Sequence, residues 1–277
     1  MGITYHAHNN YTPSKLIAYQ NWLSTTSTPT TTSIPGFAYP GAKVRLRKTI
    51  VSFMPTTCAT YAEPFAGRGN VFWLAASTLP YANWWINDTR TAPFFQSLIS
   101  IGSTLDVPAH TREEFGRQKS ASKQDDPAAI LLEPYLTYNG GGYAAGYRQA
   151  DGSPTQTGYE RSLRQGHQIL IQTNPQITAD DWKVVVSHLG ENDFAYFDPP
   201  YIRAQVHSYR PCDINHLELV DELKSAKYRW ILSEYPNDLY LDAFGPPFWT
   251  KDVQLCSTNF RDDGGKERRV ECLWRNY

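Results

Sequence analysis

Along this chain the apolar positions switch between two periods, and the switches outline its elements. "TTCATYAEPFAGRGNVFWLAAS" runs from a short apolar stretch through a glycine-rich turn into helically spaced apolar residues, which predicts strand, loop and helix. "YANWWINDTR" predicts a second strand ending at Asn87-Asp88. The unbroken run Phe194-Ala195-Tyr196-Phe197 predicts a buried third, and "YRWILSEY" and "RRVECLWRNY" read as two more. Helical spacing appears in "PGAKVRLRKTIVSFMP", where Leu46, Ile50 and Phe53 share a side and Pro55 ends the element. "DDWKVVVSHLG" is helix-like. "DINHLELVDELKSA" predicts an amphipathic helix capped by Asp213, with Leu217, Val220 and Leu223 on one face. Strands alternating with helices predict an α/β sandwich around a mostly parallel sheet.

Two regions break this rhythm. Residues 1–36 read as an N-terminal extension: a short helix in "SKLIAYQNWL", then the low-complexity linker "STTSTPTTTS". Residues 106–168 are polar and contain "NGGGYAAGYRQADGSPTQTG", which predicts a loop-rich insertion before "QILIQT" returns to strand character. The sandwich would then be built from residues 37–105 and 169–277.

Composition narrows the class. A chain of 277 residues with 41% hydrophobic and 19% charged content suits a globular protein with one large core. No apolar run approaches a membrane span, and the N-terminus lacks the regions of a signal peptide, so the expectation is a cytoplasmic protein. The four cysteines are scattered and the seven histidines form no ligand spacing, so neither a disulfide framework nor a metal site is expected. Net charge is −1, yet no acid precedes Glu63 while Lys15, Lys43, Arg45, Arg47 and Lys48 do. Either these residues share a basic face or the charge is merely uneven.

The chemistry concentrates in two places. In "ENDFAYFDPPYIR", Asp198 ends a strand, and Pro199-Pro200 prevent both its continuation and an immediate helix. A carboxylate and the ring of Tyr201 are therefore held on a stiff corner at a strand's C-terminal edge, where open α/β sheets bind ligands. That corner is a site or a rigid turn. In "EPFAGRGNVF", Gly67 and Gly69 begin a dinucleotide fingerprint, but Phe72 stands where the third glycine belongs. The loop suits a ligand without a pyrophosphate. Glu63 before it can accept a hydrogen bond from an ammonium or a loop amide. Asp88 is either a ribose-binding acid or a helix cap.

In this order, "EPFAGRGNVF" and "YFDPPY" resemble the paired signatures of the Dam-like adenine-specific DNA methyltransferases. "YPGAKVRLRKTI" is similar to that family's N-terminal glycine–lysine motif, with Ala42 in place of its second glycine. "WINDTR", "TADDW", "ILSEYPN" and "RVECLWRNY" resemble further segments. The likeness covers roughly residues 37–105 and 169–277. It implies a Rossmann-like methyltransferase sandwich with residues 106–168 as a target-recognition insertion, S-adenosylmethionine as cofactor and double-stranded DNA as partner. It further implies that Tyr39, Glu63, Phe65, Gly67 and Gly69 line the cofactor, with Lys43 near its carboxylate. Asp88 would take the ribose and Asp181 the cofactor's adenine amine. Trp182 would lie beside that ring or serve as a core aromatic. Asp198, Pro199, Pro200 and Tyr201 would form the catalytic corner, with Tyr209 covering the flipped base or simply packing. The same corner chemistry would serve cytosine N4, an adenine in RNA or a glutamine amide in protein, and an inactive DNA-binding relative would keep the fold.

Overall fold

The computed structural model describes residues 33–149, 155–202, 214–254 and 268–277. The expected N-terminal helix, the linker up to residue 32, Tyr209 and the proposed cap Asp213 lie outside the described residues. Pro35–Tyr277 form one compact unit that includes the insertion.

After α1 (Arg47–Ser52), the chain forms β1 (Thr60–Glu63), α2 (Phe72–Thr78), β2 (Asn83–Asn87) and α3 (Ala92–Ile101). The insertion supplies α4 (Arg112–Ala121) and α5 (Pro127–Leu136), followed by α6 (Gln156–Thr173). Then come β3 (Gln176–Thr178), α7 (Trp182–Val186), β4 (Phe194–Phe197), α8 (His216–Ser225), β5 (Arg229–Glu234), α9 (Asp238–Phe244), β6 (Trp249–Gln254) and β7 (Arg268–Arg275). The sheet has seven strands in the order β3-β2-β1-β4-β5-β7-β6. β1 to β5 pair in parallel, while β7 runs antiparallel to both β5 and β6. This is a Rossmann-like arrangement, a parallel sheet with an antiparallel pair of strands at one edge. Strand order reverses between β1 and β4, so the crevice that such sheets offer to ligands opens at the C-terminal ends of these two strands.

The strand alternation explains why both sheet faces are apolar. Ala62, Trp85, Ala195, Phe197, Trp230, Leu232, Cys272 and Trp274 join one core with Val185 of α7 and Leu219, Val220 and Leu223 of α8. The residues between them point the other way: Tyr61 packs its ring against Trp84 and Phe194, and Phe72 of α2 meets Trp84 edge-on.

Three expectations change. The insertion is largely helical rather than loop-rich, because each of its helices is started by a local cap: Thr111 for α4, Asp126 for α5 and Thr155 for α6. "QILIQT" is the last third of α6, not a strand. Tyr159, Leu163, Gly166 and Leu170 form its buried stripe, which packs on α2 and α3, so the helix crosses the expected boundary at 168/169. In α8 the cap is Asn215, and Leu217 is 63% exposed while Leu219 takes the inner position.

Candidate active site

The two signatures come together because β1 and β4 are neighbours, with Ala62 opposite Ala195. β1 ends at Glu63 and delivers the glycine loop; β4 ends at Phe197 and delivers Asp198. β7 enters the sheet at this same edge because it runs antiparallel, and it brings Glu271 alongside.

At the corner, the Lys43 ammonium donates to both Asp198 oxygens, at 2.8 and 3.0 Å, and to the Gly41 carbonyl at 3.0 Å. It also lies 3.8 Å from Glu271 and 4.7 Å from the centre of the Tyr201 ring. Lys43 is buried, whereas the Asp198 side chain is 19% exposed and so remains reachable. The Tyr201 hydroxyl donates to Glu271, and Tyr235 meets the Tyr201 ring edge-on at 4.6 Å. Pro199 is buried and Pro200 partly so. Glu234 accepts the amides of Ile202 and Tyr235, at 3.2 and 2.8 Å, tying the chain after the corner to the end of β5.

Electrostatics follow from the burial. Desolvation raises the Asp198 carboxyl above the ordinary aspartate range, against the opposing pull of Lys43. For Lys43, burial favours the neutral amine, but Asp198 and Glu271 outweigh it and hold the ammonium above its usual range. Burial also lifts Glu63 and Glu234, each to about 8, and raises Glu271.

The glycine loop is shaped by positive φ angles at Gly67 (51°) and Gly69 (67°). Gly67 donates its amide to Asp88 at 2.9 Å, and Gly69 donates to the Ala66 carbonyl at 2.8 Å. A Cβ on Gly67 would come within 2.9 Å of the Tyr39 ring, so Tyr39 packs directly on the loop. Asp88 also accepts the amides of Arg90 and Thr91, both at 2.9 Å. It therefore caps the turn into α3 and braces the loop together, while keeping a partly exposed position. Phe65 is partly exposed and lies 6.3 Å, ring to ring, from the buried Trp182. Asp181 is exposed and caps α7 through the Lys183 amide.

Lys43 sits on Asp198, at the corner that adjoins the glycine loop. One placement differs from the expectation. Glu63 is 2% exposed and accepts the Tyr61 hydroxyl, so its carboxyl faces the protein interior and not a ligand. Four residues escaped the sequence reading. Glu271 and Glu234 surround the corner. Asn87 clips three strand ends, donating to the carbonyls of Pro64 and Asp180 and accepting from Thr178 and Asp180. Arg68 extends from the glycine loop to the insertion. The available signals were an acid inside an apolar strand for Glu271 and a buried polar strand end for Asn87. Among the described residues no cluster of His, Cys, Asp or Glu could hold a metal, and no helix is long and apolar enough to cross a membrane.

Residues 39–98 match the family model of the D12 class N6 adenine-specific DNA methyltransferases. That segment carries Tyr39, Lys43, the glycine loop and Asp88, and it bears out the resemblance read from the motifs. No curated protein matches the chain. Among solved structures, the "rRNA methyltransferase aviRa from Streptomyces viridochromogenes" is similar at 15% identity, with 86% of each chain covered and a TM-score of 0.38. Likeness of that degree carries no substrate with it. The sheet order is Rossmann-like, and the matched segment supports methyl transfer as the class of activity.

Two outcomes follow from this geometry. Gly67→Ala forces a Cβ into a left-handed position against Tyr39 and should cost about 1–2 kcal/mol in urea unfolding; unchanged stability would contradict the packing. Glu63 and Glu234 bind their protons more tightly folded than unfolded, so their contribution is complete below pH 4.5 and fades as pH rises to about 8. Unfolding measured across that window should show stability falling with pH from these groups, and Glu63→Gln should flatten the slope.

Proposed function

We propose that the protein transfers a methyl group from S-adenosylmethionine to the exocyclic N6 amine of adenine in double-stranded DNA. The observation that carries this reading is the corner: an accessible carboxylate, Asp198, on a proline-stiffened strand end beside a positive-φ glycine loop. The residues present fit the cofactor. The loop is tight, Asp88 is partly exposed at the end of β2, and Phe65 and Asp181 stand at the same edge of the sheet. Tyr39, Phe65, Gly67 and Gly69 would hold its methionine part, Asp88 its ribose, and Asp181 with Trp182 its adenine. When bound, it supplies an electrophilic methyl group on a sulfonium.

The chain's own residues do the rest. An adenine amine is a poor nucleophile because its lone pair is delocalised into the ring. Asp198 and the Pro199 carbonyl can accept its two N–H groups, which favours a pyramidal, nucleophilic nitrogen; proline adds no competing donor. Tyr201 can stack on the base, an interaction worth about 1–3 kcal/mol. Much of the remaining acceleration is positioning, since the nitrogen must lie in line with the methyl group. The base reaches the site by leaving the duplex, at a cost of a few kcal/mol.

Lys43 fits into this sequence as a displaceable occupant. Its ammonium takes the hydrogen bonds of Asp198 and covers the Tyr201 ring, the two positions an incoming adenine needs. Glu271 stands ready as its alternative partner at 3.8 Å. The lysine leaves as the base arrives.

Incubation with methyl-labelled cofactor and duplex DNA should give N6-methyladenine after digestion. Bound cofactor with no transfer to any DNA would overturn the reading, and label found in RNA or protein instead would change the acceptor. Asp198→Ala should lower turnover at least about 100-fold, the scale for losing one preorganised partner of the reacting group, while cofactor binding persists. Because Lys43 lowers the Asp198 pKa, Lys43→Met should move the acid limb of the kcat/KM profile upward at saturating cofactor. An unmoved limb would remove Lys43 from this role.

A further inference from the structure

Arg68 lies between the two positive-φ glycines, and its backbone and side chain serve different parts of the molecule. The backbone belongs to the loop: its carbonyl accepts Trp73 Nε1 at 2.8 Å, and the Gly67 carbonyl before it accepts the Thr91 hydroxyl. The side chain turns toward the insertion and is 4% exposed. It pairs with the carboxylate of Glu133 on α5 and donates to the carbonyls of Gly140, at 2.9 Å, and Ala38. Its guanidinium lies 5.4 Å from the centre of the Tyr39 ring, the same ring that rests on Gly67. The fit is close: a Cβ on Gly140 would come within 2.0 Å of the Ala38 carbonyl oxygen and 2.8 Å of Arg68 Nη1. Nε of Arg68 has no hydrogen-bond partner among the described residues. A buried guanidinium with an unpartnered donor depends heavily on its counter-charge, and Glu133 is the carboxylate that pairs with it.

We propose that Arg68 is a positioning residue through which the insertion, by way of Glu133, sets the shape of the glycine loop and hence cofactor affinity. The two arms of the contact are physically continuous, from Glu133 through Arg68 to Tyr39 and Gly67. By reciprocity, whatever engages the insertion and shifts α5 changes cofactor binding, and cofactor binding changes how firmly the insertion is held. The inference rests on the methyltransferase reading above and adds to it a coupling between two segments.

The test is the affinity for S-adenosylhomocysteine, measured by calorimetry on the full chain without reference to turnover. Glu133→Gln removes the counter-charge at a partly exposed position and keeps a hydrogen-bonding group, so folding should persist. Affinity should fall roughly five-fold or more, the lower range of coupling between sites, although Glu133 is none of the residues assigned to the cofactor. Arg68→Lys should weaken binding similarly, and the double variant should be no weaker than the single ones combined through one shared contact, that is, less than their product. Saturating cofactor should restore kcat in Glu133→Gln, leaving the defect in KM. Wild-type affinity in Glu133→Gln with only its melting temperature lowered would overturn the coupling, as would fully multiplicative effects in the double variant. Failure of the wild-type chain to bind S-adenosylhomocysteine would instead overturn the functional reading.

Discussion

A buried ammonium between carboxylates organises the candidate site. Lys43 reaches Asp198 across 155 residues of chain and lies next to Glu271, so it joins the segment before β1 to β4 and β7 at one point. Around it Glu63, Glu234 and Glu271 are all buried, and burial raises the pKa of each. Lys43 opposes this trend at Asp198, where its charge and hydrogen bonds pull the carboxyl back toward the ionised form. Breaking a buried pair of this kind by deleting one partner typically costs about 3–5 kcal/mol. A ligand that displaces the lysine must therefore supply comparable hydrogen bonds, and an exocyclic amine with two N–H groups is a donor of that kind.

The sheet makes this convergence possible. Placing β1 beside β4 puts the glycine loop next to the proline corner, and reversing β7 brings an acid from the C-terminal end of the chain to the same edge. Side chains then fix what topology only brings near. Asn87 locks the ends of neighbouring strands, Asp88 braces the loop against the turn into α3, and Glu234 ties down the chain after Tyr201. Arg68 extends the same framework outward into the insertion. Rigidity here is assembled from backbone amides and carbonyls held by single buried side chains, which suits a reaction that relies on positioning.

The parts legible in the sequence were those encoded locally. Short apolar runs bounded by turn residues marked β1, β2, β4, β5 and β7, and Asp198, Gly67 and Gly69 stood out because their neighbours constrain them. The insertion was misread because α4 is polar on most sides, leaving its cap Thr111 as the main signal. Ile169-Leu170-Ile171 looked like a strand because a short apolar run has no period of its own; the stripe through Tyr159, Leu163, Gly166 and Leu170 decides it. The partners of Asp198 were hidden for another reason. Lys43 reaches it, and Glu271 and Glu234 reach the residues beside it, through tertiary contacts that no local pattern records; Lys43 itself was read as a cofactor contact from resemblance alone. Arg68 was passed over as the variable residue of a glycine loop, although its side chain spans two segments.

The most direct measurement of the central claim is a structure of the protein with S-adenosylhomocysteine and an adenine-containing DNA duplex. The account predicts an extrahelical adenine with its amine on the Asp198 carboxylate and the Pro199 carbonyl, stacked on Tyr201, and Lys43 moved off Asp198 toward Glu271. An adenine bound elsewhere, with Lys43 still paired to Asp198, would contradict it.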